Sequence, residues 1–442
     1  MKLLKILTIG ALALATVGAA SAQTVIRIVA SNGDRTATQT AISKLLASGW
    51  TFQGINGNTS SAGTLSTATG ANFGAWSGTY AGNPVIIKVS YSGALAGIAA
   101  VASNPKIDQR FVVSNGTGTG SVPNPLTGTT LGVDYELGKA DFAFSTNFQS
   151  TSPFNGVFQG VQYDGVIEEN VGISPLGFYA SPGFPGTNIT TQLAQQLYSN
   201  GSLTADLFTG DSVNDADKTV WASGRNTDAG QRFGAYTEIG LGTQGQVTVW
   251  FPTITGQTTT SGITYGGTVT SHQLWPVAQQ PGTFAVPLGS GGFSSGANAA
   301  VPLTATLSSD AYKGKYLDDE GAPAFLYPDA TAGYYIGYVT PGDGNPRILG
   351  TTGVVPVPNR GTLLTYNGVA LTDANVKSGR YTAWLYNRIL KPTSGLTGLK
   401  LTFADALRDQ IKNVDAPSGG GLIDDATVKV KRFTDGGLVL KK

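Results

Sequence analysis

Cysteine is missing from all 442 residues of the chain, and the only methionine is Met1. Disulfides, iron–sulfur clusters, thiolate metal sites and cysteine nucleophiles are thereby excluded. Histidine is almost as scarce, since His272 stands alone. Multi-histidine zinc or copper chemistry cannot be assembled from one ring. A serine–histidine–aspartate triad would have to be built around Ser271-His272-Gln273, where no nucleophile-elbow pattern occurs. His272 is expected to be an ordinary hydrogen-bonded or exposed residue.

Charge is sparse at 12% of the chain, with 28 basic against 27 acidic side chains. That balance leaves no electrostatic footprint for nucleic acid. The carboxylate pairs Glu168-Glu169 and Asp318-Asp319 are neighbours in sequence, so on a strand their side chains point to opposite faces and form no catalytic couple. Asp424-Asp425 lacks the spaced oxygen ligands of a calcium loop. No enzymatic activity, metal or cofactor is expected.

Long hydrophobic runs are confined to the start. Residues 1–22 carry Lys2 and Lys5, an apolar run from Ile6 to Ala20, and Ala20-Ser21-Ala22 before Gln23. This is the pattern of a cleaved secretory signal peptide, and the run is shorter than the roughly 20 residues a bilayer span needs. The mature chain is therefore expected in the periplasm or outside the cell, and not membrane-spanning.

Glycine is plentiful at 61 residues, and hydrophobic residues make up 40%, enough to bury cores under a turn-rich Thr/Ser/Asn surface. A chain of this length points to two domains or lobes. Thr24–Ala30 reads as a strand, Ser31-Asn32-Gly33-Asp34 as a turn and Thr36–Ala47 as a helix. The sequence repeats this strand–turn–helix order at Pro84–Tyr91, Ser92-Gly93-Ala94 and Ile98–Ala102. Lys139–Thr146, Thr219–Ala222 and Thr331–Thr340 read as strands, and Thr190–Tyr198 and Leu401–Asn413 as helices. Ala426–Phe433 and Leu438–Leu440 read as a strand or hairpin. Gly54–Gly82 reads as a long loop or hairpin insertion, and Gly240–Gly296 as β-structure without an assigned order. Such alternation argues for α/β lobes.

The most distinctive stretch is Ser223–Arg232, a glycine-punctuated polar loop with Arg225 and Arg232. A helix opening at Gly230 would set free N–H groups and the positive dipole end beside a guanidinium, which is a place to hold an anion. The alternative is a surface turn whose arginines face water.

In order, these landmarks resemble the periplasmic phosphate-binding proteins of ABC transporters. They are Ala30–Arg35, Tyr91–Gly97, Asp141–Thr146, Gly172–Ala180, Leu193–Gly201, Gly224–Arg232, Gly333–Val339 and Gly379–Leu385. The resemblance implies an α/β, two-lobe type II periplasmic binding protein-like fold with Gly/Thr-rich β insertions. Lobe I would take residues 24–172 and 340–442, and lobe II residues 173–339. It implies a small phosphate-like anion in the cleft, held by Arg225, Asn226, Thr227, Asp228, Ala229, Gly230, Gln231, Ser92, Gly93, Ala94, Ser145, Thr146, Ser31 and Asn32. The family's arginine falls on Arg225, its Ser-Gly-Thr signature on Ala229-Gly230-Gln231, its second-turn serine at Ala94 and its aspartate on Thr146. An ABC permease is the implied partner and a monomer the implied state. The other reading is the same fold with a lapsed anion site, acting as a secreted surface or adhesive protein.

Overall fold

The computed structural model describes residues 23–242, 245–276 and 287–442. The expected signal segment, residues 1–22, lies outside the described residues. Among the described residues, no helix is long and apolar enough to cross a membrane.

Two sheets organise the chain. The larger has eight strands, in the spatial order 166–175, 384–392, 142–145, 24–30, 83–90, 73–80, 51–54 and 57–60. Its centre is parallel: Thr24–Ala30 runs beside Asn83–Ser90 (Thr24 opposite Val85, Val29 opposite Ser90) and beside Phe142–Ser145. β-branched residues at Thr24, Val25, Ile26, Ile28 and Val29 suit a strand covered on both faces. The helices Arg35–Leu45 and Ala94–Ala102 follow two of these strands directly. Each therefore starts at a strand's C-terminal end, where α/β folds place their ligands.

The segment 54–82, expected as a loop or hairpin insertion, adds hairpin strands to the larger sheet around the short helix Ser66–Gly70. Phe73–Tyr80 pairs antiparallel with Asn83–Ser90 across the two-residue turn Ala81-Gly82, and Thr51–Gly54 and Gly57–Ser60 extend the same edge. Both turn residues have positive φ, 47° at Ala81 and 76° at Gly82, which matches the twist of the flanking strands. The glycines that disguise this strand make room for aromatic packing. A Cβ on Gly74 would lie 2.3 Å from the Phe52 ring, and Phe52 with Trp50 packs on Trp76 at centroid distances of 5.0 and 4.8 Å. Trp76 is fully buried, and its Nε1–H donates to Gln39 Oε1 at 2.6 Å.

The smaller sheet has five strands in the order 202–204, 218–222, 332–339, 177–180 and 362–363. Lys218–Ala222 runs parallel to Ala332–Val339. Helix Thr191–Asn200 is capped by the Thr190 side chain, which accepts from Leu193 N–H, and ends on Gly201 in the left-handed region, as its sequence signals require. In the stretch expected only as β-structure, Trp250–Thr255 pairs with Thr268–Leu274; residues 243–244 and 277–286 there lie outside the description. Val430–Lys431 and Leu440–Lys441 form the expected terminal hairpin.

The chain passes between the sheets twice. Val166–Pro175 leads straight into Gly177–Ala180, and the return strand Trp384–Pro392 pairs antiparallel with Val166–Pro175 from Pro175 opposite Trp384 to Val166 opposite Pro392. Thr362–Leu363 still belongs to the smaller sheet, and Tyr366 pairs with Ile189. We propose that the return to the first lobe falls between Tyr366 and Trp384. Each sheet carries its own aromatic-rich core.

His272 is buried. Its Nδ1 lies 3.0 Å from the Tyr335 hydroxyl, and its ring packs 4.0 Å from Trp221 and 4.9 Å from Trp250. Burial lowers its pKa to about 3. Trp384 and Tyr381 are core residues as well.

Candidate functional site

Helix Gly230–Glu238 opens at the residue the sequence marked, directly after the loop delivered by strand Lys218–Ala222. The loop is held by the smaller sheet: Ser223 N–H donates to Ile336 O at 2.8 Å, and Arg225 N–H to the Tyr338 hydroxyl at 3.2 Å. A second segment runs alongside, with Phe293 N–H donating to Gly224 O at 2.9 Å and Asn226 N–H to Phe293 O at 3.0 Å.

Arg225 is 2% exposed, so the surface-turn alternative does not describe this loop. Its Nε–H donates to Phe293 O (3.0 Å), its Nη1 to Gln231 Oε1 (2.5 Å) and its Nη2 to Ser294 O (3.2 Å). Burial lowers its pKa from the ordinary value, and the Asp343 charge opposes that. Three acceptors orient the planar guanidinium, which keeps its charge in any case. Arg232 has a different task. Its Nη1 donates to Arg225 O at 3.1 Å and Gly291 O at 2.8 Å, and its guanidinium lies over the Tyr236 ring, so it fixes the loop from behind.

The larger sheet brings two turns to face this loop. In the first, Ser31 Oγ accepts from Gly33 N–H at 3.0 Å and Asn32 Nδ2 reaches Ser294 O at 3.5 Å. In the second, Gly93 adopts φ 138°, ψ 163°, a conformation for glycine alone. A Cβ there would also lie 2.6 Å from Asp228 Cβ and O, and Leu95 N–H points at Asp228 O at 3.4 Å. A third turn follows strand Phe142–Ser145: Asn147 Nδ2 reaches Gly230 O at 3.4 Å, and Thr146 packs on Gly230 so closely that a Cβ on Gly230 would fall 1.7 Å from Thr146 Oγ1.

Together these turns enclose a pocket lined by Ser31, Asn32, Ser92 and Gly93 on one side and by Arg225, Asn226, Ala229, Gly230 and Gln231 on the other. Its volume is about 10 Å³, room for about one water. Of the expected residues, Ala94 and Thr146 pack against Gly230 and Asp228 against Gly93 without lining the pocket, and Ser145 and Thr227 do not line it either. Ser145 Oγ is spent on its own turn, accepting from Asn147 N–H at 3.1 Å. Gly33 lines the pocket and was not anticipated there. Neither were Asn147, one residue beyond the expected Ser145-Thr146, nor Phe293 and Ser294, which no motif marks.

Among the described residues, buried polar atoms without a hydrogen-bond partner cluster here: Asn32 Oδ1, Ser92 Oγ, Thr146 Oγ1 and Thr227 Oγ1. Each such atom costs about 1–3 kcal/mol. Asp34 ends the first turn. It is buried, accepts from Asn387 Nδ2 at 2.6 Å, and burial raises its pKa to about 7.

No family model matches this sequence, and no curated protein does. Among solved structures, an ABC-type phosphate transport receptor from Vibrio cholerae is 11% identical, with 90% of this chain and 98% of that one covered and a TM-score of 0.40. PstS from Borrelia burgdorferi is 11% identical, with 90% and 98% covered and a TM-score of 0.34.

Proposed function

We propose that this chain is a periplasmic or secreted solute-binding protein that closes two lobes over phosphate or a related small oxyanion and delivers it to an ABC-type permease. The observation that carries this reading is the convergence of Arg225 and the opening turn of helix Gly230–Glu238 with the Ser31–Gly33 and Ser92–Gly93 turns of the facing sheet around one pocket. Helix-opening N–H groups and a buried guanidinium together favour an anion. Ser92, which lines the pocket, supplies a hydroxyl that still wants a partner. The pocket is too small for a tetrahedral oxyanion as it stands, so admission requires the lobes to part. The role is binding, and monomeric action is expected.

Isothermal titration with phosphate and with sulfate tests the reading. The full chain should bind one of them saturably, and Arg225→Ala should weaken that binding about 10- to 150-fold, the worth of a charge-assisted hydrogen bond of about 1.5–3 kcal/mol. Absence of binding by the unaltered chain at millimolar anion would overturn it, as would unchanged affinity in an Arg225→Ala protein shown to be folded by circular dichroism.

A further inference from the structure

The hinge strand Trp384–Pro392 serves two places at once. Asn387 donates to Asp34 beside the interlobe pocket, while the next residue, Arg388, lines a separate cavity of about 400 Å³. Successive side chains of a strand point to opposite faces, which separates the two sites physically. Arg388 is 2% exposed. Its Nε–H donates to Asn170 Oδ1 at 3.0 Å, and the nearest carboxylate oxygen to that nitrogen, on Glu168, is 3.7 Å away. Its guanidinium lies over the Phe148 ring at 3.2 Å from the centroid and over Tyr386 at 4.9 Å. Nη1 is buried without any hydrogen-bond partner. A buried guanidinium nitrogen left unpaired costs more than a neutral group does.

The walls carry four cationic side chains, Arg388, Lys431, Arg432 and Lys442, against two carboxylates, Glu168 and Asp425, with Phe148, Tyr386 and Phe433 as the aromatic part. Arg432 is committed to Glu238 at 2.7 Å, and Lys442 to Asp425 at 2.7 Å. Lys431 makes no ion pair among the described residues; its Nζ lies 5.2 Å from the Phe433 ring centroid. Phe433 is 67% exposed, a large apolar side chain at the edge of a charged cavity.

We infer that this cavity is a second binding site, for a small organic anion whose charged group is held by Arg388 Nη1 and Lys431 and whose flat apolar body lies against Tyr386 and Phe433. A guanidinium presents paired donors to a carboxylate or phosphate alike, and aromatic faces select a ring over a bare inorganic ion. The site does not depend on the proposed role of the interlobe pocket.

Calorimetric titration of the full chain with phenyl phosphate and with benzoate tests it. Saturable binding of either probe is expected, weakened about tenfold or more by Lys431→Ala combined with Phe433→Ala, since loss of a charge-assisted contact alone reaches that size. Both changes lie at accessible side chains, so the fold should persist. Gln231→Ala, in the interlobe pocket, should leave the affinity unchanged. No saturable binding of either probe would overturn the inference. So would binding indifferent to the Lys431/Phe433 pair, or binding abolished by Gln231→Ala, which would place the probe between the lobes.

Discussion

Gly230→Ala is expected to weaken oxyanion binding about 5- to 150-fold while leaving each lobe's own core intact. The added Cβ would lie 1.7 Å from Thr146 Oγ1, 2.8 Å from Asn147 Oδ1 and 2.9 Å from Ala94 Cβ. All three belong to the facing lobe's elements, so the methyl acts as a wedge between lobes. Gly230 does not have positive φ, and alanine is a good helix residue, so the helix itself should accept the change. Overpacking of this kind costs about 1–3 kcal/mol, which sets the fold-range when closure is linked to binding. Calorimetry with phosphate or sulfate and small-angle scattering should show weaker binding and a larger radius of gyration. Thr146→Ala removes the clashing oxygen and should restore part of the affinity in the double variant, a coupling that distant residues would not show. Unchanged affinity and dimensions in Gly230→Ala would mean that these residues do not meet when ligand is held.

The second large effect is on stability against pH, where two buried groups oppose one another. Asp34 has a folded pKa of about 7 against an ordinary 3.8. The native state then holds a proton that the unfolded chain has released, so this group's contribution is full below about pH 4 and is lost as pH rises through 7. His272 has a folded pKa of about 3 against an ordinary 6.5. Its contribution is full above about pH 6.5 and is lost as pH falls toward 3. Each displacement is worth on the order of 4 kcal/mol at 1.36 kcal/mol per tenfold step. Between about pH 4 and 6.5 the two slopes cancel. Asp34→Asn, which keeps an acceptor for Asn387, should therefore make stability rise with pH by about 1.4 kcal/mol per pH unit relative to the unaltered chain. His272→Gln should make it fall at a similar rate. Urea titrations at several pH values read the difference directly, and other titrating groups drop out of it. Parallel curves for Asp34→Asn and the unaltered chain would show that Asp34 is ionised in the fold.

Local chemistry was legible in the sequence. The strand at Thr24–Ala30, the Thr190 cap and the helix opening at Gly230 each rest on residues within one turn of the feature they create. Contacts made at a distance were not. Gly74 reads as loop until the Phe52 ring that occupies its missing side chain is known. Thr362–Leu363 shows no strand pattern of its own and joins the smaller sheet through its pairing with Tyr179-Ala180. Around the pocket, Arg225 and Gly230 stood out as a polar, glycine-punctuated loop, and the turns facing them were assigned through the family resemblance. The acceptors of Arg225 on Phe293 and Ser294 come from a glycine-rich stretch with no pattern, and Asp34 becomes unusual only through its burial and its tie to Asn387, 353 residues away.

The pairing of Val166–Pro175 with Trp384–Pro392 bears on how such a molecule could work repeatedly. Two independent tethers would let the lobes slide and twist as well as swing. A ladder of hydrogen bonds between the tethers fixes their spacing and resists sliding, while the thin ribbon still bends across its own plane. Opening is then confined to one soft direction. On the proposed opening, each reclosure would return Thr146 to the same face of Gly230, a latch whose alignment is built into its hinge.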